Sequence, residues 1–286
     1  MRKIYILLIF ILLILCPISA FSDVKNLRIH FLNVGEGDSI LIETPEGENI
    51  LVDTGNLISG YKVVKYLKQN KIQVLDYLIL THPDLDHIGG AFFILQMLEV
   101  KNIYDNGQDL TGLAKYSDTY RWYEELVRNK NYKILKAKDT LSLGNIILRV
   151  LWPPKPFILS GSNANSLVIM LEYEKFRCLL TGDLTIIGER EILEEKIDLK
   201  ADVLKIGHHG ANDANSEEFL MAVAAKTAIL SVNRANIRGY PAEEVISRLR
   251  KLGIQLYRTD EDGDIILTLY PSTDKEFEIK INKTKG

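Results

Sequence analysis

The feature that most constrains this chain of 286 residues is the stretch THPDLDHIGG at positions 81–90. It follows a short apolar run at positions 75–80, which predicts a buried strand, and it precedes a helical pattern at positions 91–98. Its proline and its two final glycines limit how the chain can turn between the strand and the helix. The order of strand, polar loop and helix therefore predicts a binding loop on a rigid support.

The polar side chains of this loop are of the types that bind divalent metals. His82, Asp84, Asp86 and His87 place two imidazoles and two carboxylates within six residues. The alternative is a helix N-terminus at which Asp84 or Asp86 caps free backbone N–H groups and the histidines face solvent. The rest of the chain favours the metal site.

The N-terminus has the pattern of an export signal. Arg2 and Lys3 precede an uncharged apolar run at positions 4–15, which is shorter than the roughly 20 residues of a membrane-spanning helix. We therefore predict a signal peptide at residues 1–22, a single domain at residues 23–286, and a secreted or extracytoplasmic protein. The alternative is an uncleaved segment that anchors the chain and is its one contact with a membrane.

Charge and cysteine content restrict the partners and the covalent structure. The net charge is −3, so the chain has no general electrostatic attraction to nucleic acid, and polyanion binding must depend on a local patch or on metals. Cys16 lies in the predicted leader and Cys178 in an apolar strand pattern, which leaves no pair for an internal disulfide. Nothing in the sequence implies a protein partner.

After the leader, strand and helix patterns form two similar halves, and short polar motifs follow several strands. Asp53 comes directly after one strand pattern, and Asp183 lies beside a glycine after another. His208 and His209 lie between two glycines at the end of a third. Four of the five histidines therefore fall into two clusters. His209 is left open between a site residue and a surface residue.

His30 is the fifth histidine, and its surroundings differ. It lies inside an apolar strand pattern. Because buried polar groups are normally hydrogen-bonded, we predict that it is a structural residue with a hydrogen-bond partner.

Together these motifs predict a dinuclear site with nitrogen and oxygen ligands and one bridging carboxylate. Two neighbouring metals lower the pKa of a bridging water, supply hydroxide at neutral pH and stabilise charge on an attacked phosphoryl or carbonyl centre. The chain has no Gly-x-Ser-x-Gly elbow, no phosphate-binding P-loop and no dinucleotide fingerprint. The predicted reaction is therefore hydrolysis.

These residues resemble the metallo-β-lactamase superfamily, whose pattern is a His-x-His-x-Asp-His loop followed by a distant His, a bridging Asp and a last His on successive strand ends. More narrowly, the chain is similar to the soluble domain of ComEC-type DNA-uptake (competence) proteins and to its free-standing secreted relatives. The resemblance implies an α/β fold, a four-layer αββα sandwich with the site along one edge of its two sheets. The matching motifs lie at residues 31–38, 53–55, 82–90, 163–168, 181–183, 201–210 and 258–263.

The resemblance also implies ligand roles by motif position. The ligands would be His82 and Asp84 for one metal, Asp86, His87 and His208 for the other, and Asp183 as the bridge between them. Asp86 and Asp183 would also be the catalytic residues. Because Asp84 stands where the wider superfamily has His, the site is richer in oxygen and suits Mn²⁺ as well as Zn²⁺.

Four further residues are expected near the metals or the substrate. Asp53 would orient a ligand histidine. Asn163 and Ser166 fall at the third motif, where they would be weak ligands or substrate contacts; a plain turn before a strand is the alternative. Lys205 would face a phosphate, with an exposed surface lysine as the alternative.

Tyr240 is a departure from the family pattern, because it stands where the family has a site histidine. A tyrosine can donate a hydrogen bond to a developing oxyanion. With an ordinary pKa near 10, it is a poor general acid or base at neutral pH. The departure puts the rate and the substrate in question.

Three functions follow from these observations. The first is a secreted metal-dependent phosphodiesterase or nuclease that acts on extracellular DNA or on a small phosphodiester. The second is another hydrolase with the same metals, such as a phosphorylcholine esterase, a lactonase or a β-lactamase, because a fold does not fix a substrate. The third is a binding module that kept the fold without turnover.

Overall fold

The computed structural model describes residues 26–109, 117–271 and 277–284, and the predicted signal peptide lies outside them. The strands are β1 (Leu27–Phe31), β2 (Ile40–Glu43), β3 (Asn49–Val52), β4 (Val74–Leu80), β5 (Glu99–Asp105), β6 (Tyr132–Ile134), β7 (Thr140–Leu143), β8 (Ile146–Trp152), β9 (Val168–Tyr173), β10 (Phe176–Leu180), β11 (Val203–Lys205), β12 (Thr227–Leu230), β13 (Gln255–Arg258), β14 (Ile265–Pro271) and β15 (Phe277–Lys283). The helices are α1 (Leu57–Gln69), α2 (Leu85–Ile88), α3 (Ala91–Met97), α4 (Ser117–Val127), α5 (Ile186–Glu194), α6 (Glu217–Val223), α7 (Glu243–Lys251) and α8 (Thr259–Asp262).

The strands form two mixed sheets. The first sheet has the order β15-β14-β1-β2-β3-β4-β5-β6, and the second has the order β13-β12-β11-β10-β9-β8-β7. Strands β3 to β6 are parallel, as are β10 to β13, and the other pairings are antiparallel. Each sheet therefore joins an antiparallel half to a parallel half whose connections contain helices.

Three apolar clusters hold the four layers together. One cluster lies between the inner faces of the two sheets and includes Ile29, Ile169 and Cys178. A second packs α1, α3 and α4 on the outer face of the first sheet, and a third packs α5, α6 and α7 on the outer face of the second sheet. This arrangement confirms the predicted αββα sandwich. Both sheets are covered on each face, so their central strands are apolar throughout.

The structure corrects some element boundaries. The apolar pattern of the sequence predicts a helix from about Tyr61 to Gln69. Helix α1 instead begins at Leu57, because Asn56 caps it by accepting a hydrogen bond from Ser59 N at 2.9 Å. The short helices α2 and α8 were not predicted. Each is one turn long, and a single turn leaves no 3.6-residue periodicity in the sequence.

The polar motifs lie at one edge of the sandwich because they follow the carboxyl ends of parallel strands. Asp53 follows β3, and the loop at residues 81–90 (the metal loop) follows β4. Asp183 follows β10, and His208 and His209 follow β11. Such edges are common positions for binding sites in open sheets. Within the three described segments, the structure contains no helix long and apolar enough to cross a membrane.

Candidate metal centre

Close backbone packing fixes the loop at residues 81–90. A Cβ atom at Gly89 would lie 2.6 Å from the backbone nitrogen of Leu57, so the loop touches the first turn of α1 only because this position has no side chain. At Gly37, which has φ of +104°, a Cβ atom would overlap the carbonyl oxygen of Asp86. The loop is therefore held from two sides by neighbouring backbone.

Three imidazoles converge on the carboxylate of Asp183. Its Oδ2 lies 3.2 Å from Nε2 of His87, 3.3 Å from Nε2 of His209 and 3.9 Å from Nε2 of His82. Nε2 of His209 is also 3.5 Å from Oδ2 of Asp86. Ligand atoms of Asp86, His87, Asp183 and His209 all lie within 4.8 Å of one another, so these four residues could hold one ion.

His82 adjoins the same carboxylate of Asp183, and its ring centroid lies 4.1 Å from that of His87. Nε2 of His82 is 4.0 Å from Oδ2 of Asp84, and His82 is completely buried. The oxygen Oδ2 of Asp183 is thus within 3.9 Å of Nε2 of both His82 and His87. A carboxylate that bridged two ions would have to be close to the ligands of both.

Unpaired buried atoms test whether metals fit the site. Within the described part of the chain, five buried atoms of the cluster have no hydrogen-bond partner: Nε2 of His82, His87 and His209, Oδ1 of Asp84 and Oδ1 of Asp183. Leaving a buried polar atom unpaired costs about 1–3 kcal/mol. Five such atoms in one place, all of ligand type, fit divalent cations.

The charges of the cluster are strongly coupled. Burial alone would lower the pKa of His209, but the carboxylates of Asp183 and Asp86 outweigh it and raise that pKa to about 10. Burial would raise the pKa of Asp183, yet the imidazoles of His209 and His87 hold it well below its usual range. The acids thus favour the protonated forms of His87 and His209, whereas burial and the neighbouring His87 lower the pKa of His82. Bound cations would replace those protons, because ligand nitrogens must be deprotonated.

Asp53 supports the metal loop from behind. Its Oδ2 lies 2.7 Å from Nδ1 of His87 and accepts a hydrogen bond from Oγ1 of Thr81 at 2.7 Å. Its Oδ1 accepts a hydrogen bond from the backbone nitrogen of Thr81 at 2.7 Å. Asp53 has φ of 58°, a strained value for a residue other than glycine, so these contacts hold it in place. The carboxylate directs Nε2 of His87 towards Asp183.

Lys205 is neither exposed nor directed at an external phosphate. It is completely buried, and its Nζ forms an ion pair with Oδ2 of Asp38 and donates a hydrogen bond to the carbonyl oxygen of Gly182 at 3.3 Å. Asp38, Asp53 and His87 form a second group of ligand-type residues behind the first. The ammonium of Lys205 compensates the negative charge of that group, so a cation is not required there.

His208 and His209 are adjacent in the chain, but their side chains have different neighbours. Nε2 of His208 lies 3.0 Å from Nδ2 of Asn163, and its Nδ1 lies 2.8 Å from Oδ1 of Asp213. The ring of Tyr240 lies with its centroid 5.8 Å from that of His208. The structure therefore places His209 among the acids and His208 outside them. This differs from the expectation that His208 completes the second site.

Ser166 and Asn163 shape the neighbouring turn. Oγ of the buried Ser166 accepts a hydrogen bond from the backbone nitrogen of Asp183 at 3.1 Å. Nδ2 of Asn106 donates to the carbonyl oxygen of Asn165 at 2.8 Å and thereby ties this turn to the end of β5. Ser166 thus supports Asp183 through its backbone, while Asn163 contacts His208.

Sequence reasoning did not assign site roles to Asp38, Thr81 or Asp213. Asp38 had a recognisable signal in the sequence, because it ends the turn GEGD that connects β1 and β2. Thr81 had a weaker one, as the first residue after β4. Asp213 lies in a polar loop with no distinguishing pattern, and only the fold brings it to His208.

The chain is therefore an αββα sandwich with a cluster of histidines and aspartates at one edge that could hold metal ions. The family model of the metallo-beta-lactamase superfamily matches residues 32–232. The chain belongs to this superfamily, which confirms the resemblance seen in the motifs.

Curated relatives and a solved structure agree with this membership. The chain is 32% identical over 255 residues to ComE operon protein 3 of Bacillus subtilis, covering 83% of this chain and 32% of that protein. It is 31% identical over 264 residues to Recombination protein 2 of Haemophilus influenzae, covering 90% and 30%. The metallo-beta-lactamase fold protein YhfI from Bacillus subtilis superposes with a TM-score of 0.57 at 13% identity, over 85% of this chain and 100% of that one. This chain spans about a third of the length of the two curated relatives.

Proposed function

We propose that this chain is a metal-dependent phosphodiesterase that acts on DNA outside the cytoplasm. The observation that carries the proposal is the convergence of three unpaired imidazole nitrogens on the carboxylate of Asp183. Membership of the superfamily supports hydrolysis. Similarity to proteins named for a ComE operon and for recombination supports DNA as the substrate class.

The proposed ligands follow from the geometry. They are His82 and Asp84 for one cation, Asp86, His87 and His209 for the other, and Asp183 for both. His209 takes the role that motif position implied for His208, because its Nε2 faces the acids. Two bound cations, Zn²⁺ or Mn²⁺, supply Lewis acidity towards phosphoryl oxygens and acidify water.

Residues beside the metals are proposed to contact the substrate. A cavity of about 470 Å³ opens beside Asp84 and is lined in part by Asn163 and Asp213. His208 contacts Asn163 and Asp213, and the ring of Tyr240 lies beside that of His208. Burial raises the pKa of the Tyr240 phenol, so it stays protonated at neutral pH and can donate a hydrogen bond to a phosphoryl oxygen.

Metal content and turnover test the proposal together. The full chain is analysed for bound metal by mass spectrometry, and hydrolysis of bis-p-nitrophenyl phosphate is measured before and after chelation. We expect about two metals per chain and chelator-sensitive hydrolysis. The variants Asp183→Ala and His82→Ala should lose turnover, whereas Met221→Ala, at an exposed apolar position, should keep it. Hydrolysis that survives both site substitutions would refute the proposal.

A substrate panel separates phosphodiesters from other substrates of the same metals. It consists of bis-p-nitrophenyl phosphate, p-nitrophenyl phosphorylcholine, a lactone and nitrocefin. Faster turnover of the lactone or nitrocefin would replace the phosphodiesterase proposal with a lactonase or β-lactamase. Two bound metals with no turnover of any member would support the binding module, for which Tyr240 is the motivating residue.

A further inference from the structure

An apolar groove lies beside the metal loop. Its lining includes Leu57, Ile58, Leu85, Phe92, Phe93 and Trp122, and it encloses about 720 Å³. Leu57 is 53% exposed, Ile58 84% and Leu85 44%. Scattered apolar residues on a surface need no explanation, but a contiguous apolar concavity of this size is typical of a binding site.

The groove adjoins the loop that carries several of the proposed metal ligands. Leu85, which forms part of its wall, lies between the proposed ligands Asp84 and Asp86 in the sequence. The first turn of α1 forms another part and is fixed against the loop by the contact between Gly89 and Leu57. A group bound in the groove therefore lies next to the metal loop, so the groove is placed to bind a substituent of the substrate.

Anchored aromatic rings form one side of the groove. The rings of Phe92 and Trp122 have centroids 5.3 Å apart with 33° between their planes, and Phe93 lies edge-on to Phe92 at 5.2 Å. Phe93 and Trp122 are partly buried against the core cluster beneath α1, α3 and α4. Rings held in this way offer fixed apolar faces to a planar aromatic ligand.

Among the described lining residues, Asn56 carries the polar side chain, and its amide is already engaged. Its Oδ1 caps α1 through Ser59 N, and its Nδ2 donates to the carbonyl oxygen of Glu36 at 3.4 Å. The groove thus offers mainly stacking and apolar contact, with the indole N–H of Trp122 as a further side-chain donor. Binding of this kind tolerates any base.

The charge near the groove favours a polyanion. Between Thr54 and Leu75 the sequence contains Lys62, Lys65 and two further lysines but no acidic residue, although the whole chain has a net charge of −3. All four lysines are exposed on or just after α1, the helix that begins at the groove. An aromatic platform followed by a basic stripe is the arrangement by which proteins bind single-stranded nucleic acid.

We infer that the apolar groove holds an unstacked base of a single-stranded nucleic acid whose phosphates lie along the lysines of α1 and reach the metal centre. The inference rests on the proposed phosphodiesterase function and names its substrate form. A duplex keeps its bases stacked inside, so it cannot fill the groove without unpairing. A bilayer surface also suits apolar and basic residues, but the concavity and the adjoining metal loop favour a ligand that enters the groove.

Binding of matched oligonucleotides tests the inference without turnover. The full chain is titrated, in the presence of chelator, with dye-labelled oligothymidylate and with an abasic strand that has the same number of phosphates. Stacking contributes about 1–3 kcal/mol per base, so we expect the oligothymidylate to bind about 10-fold tighter or more. Trp122→Ala and Ile58→Ser should reduce that ratio towards one, whereas Met221→Ala should not change it. Because Ile58 is highly exposed, its variant keeps the test valid if Trp122→Ala fails to fold.

Equal affinity for the two strands would overturn the inference. It would also be overturned if the groove variants abolished binding to phosphatidylglycerol vesicles, or dissociated a dimer, without changing the preference for bases. The outcomes distinguish failure of the base-binding groove from failure of the phosphodiesterase. Base-dependent binding without hydrolysis of bis-p-nitrophenyl phosphate would support the groove and refute the phosphodiesterase. Hydrolysis without base-dependent binding would support the phosphodiesterase and refute the groove.

Discussion

His208 and His209 are adjacent in the sequence but face different surroundings. Both lie in the left-handed region, with φ of 47° and 52°, in the turn after β11. Nε2 of His209 points at Asp86 and Asp183, whereas His208 contacts Asn163 and Asp213. Two strained residues in succession thus send identical side chains to different sides of the turn.

The hydrogen bonds of the two histidines distinguish a candidate metal ligand from a residue that only adjoins the site. Both ring nitrogens of His208 have hydrogen-bond partners, while Nε2 of the buried His209 lies against the carboxylates of Asp86 and Asp183 and has no hydrogen-bond partner among the described residues. A buried nitrogen without a hydrogen bond is destabilising unless something else binds it. His209 is therefore the member of the pair that we propose as a metal ligand, and the following substitutions test this comparison.

The largest effect is expected for His209→Ala. This change removes a ligand atom between Asp86 and Asp183, so metal content should fall from about two to about one per chain, and hydrolysis of bis-p-nitrophenyl phosphate should fall about 100-fold or more. Mass spectrometry and initial rates measure the two quantities. Two retained metals would show that the proposed ligand role of His209 is wrong.

His208→Ala should have a smaller effect of a different kind. It removes hydrogen bonds at the opening of the site but no proposed ligand, so metal content should stay the same and kcat should fall by up to about tenfold. The same two measurements apply. Loss of a metal here, together with its retention in His209→Ala, would restore the ligand role to His208.

Asp53→Asn tests the support of a ligand histidine. The amide cannot hold Nδ1 of His87 as the carboxylate does at 2.7 Å, so metal affinity should fall by about 10-fold to 100-fold. Competition with a chelator measures the affinity. The matched control is Asp198→Asn, an exposed acid on the surface whose variant should bind metal as the parent does.

The smallest effect on the metals is expected at His30, a buried histidine with a structural role. Its Nδ1 lies 2.7 Å from the hydroxyl of Tyr66, which confirms the sequence prediction, and its Nε2 lies 2.9 Å from Oε1 of Glu43. His30→Gln should leave metal content unchanged and lower the free energy of unfolding by about 1–3 kcal/mol. Denaturant unfolding of the chelated protein measures it. A loss of metal would contradict the structural role.

The contacts of His30 also predict a pH dependence. Burial would raise the pKa of the Glu43 carboxyl, but His30 and Arg28 outweigh it and lower that pKa below the ordinary 4.5. A lowered pKa stabilises the folded state above the ordinary value, and this contribution is lost as the pH falls through the folded-state pKa. The stability difference between the parent and Glu43→Gln should therefore shrink between about pH 7 and about pH 3. A stability difference that stays constant over this pH range would contradict the lowered pKa of Glu43.

Much of the fold and the site could be predicted from local patterns. Apolar runs with turn residues at their ends located most strands, and Asp53 and Asp183 stood out because each follows a strand end. The predicted start of α1 at Tyr61 is wrong although Asn56 is a good capping residue, because the prediction rested on the apolar pattern and not on the cap. The roles of Lys205 and Asp213 could not be predicted, since both depend on partners distant in the sequence or on the path of a loop.

The sequence by itself predicted alternating strands and helices with polar residues at several strand ends. The resemblance of its motifs to the superfamily then implied the αββα sandwich and the edge at which the site lies. The tertiary structure decided which histidine of the pair faces the acids, that the ammonium of Lys205 is buried against Asp38, and that Leu85 and Trp122 share a groove. Those outcomes depend on side-chain directions in a strained turn and on contacts between separate layers. Neither is encoded in any short stretch of sequence, so they appear only when the two sheets and their helices are packed together.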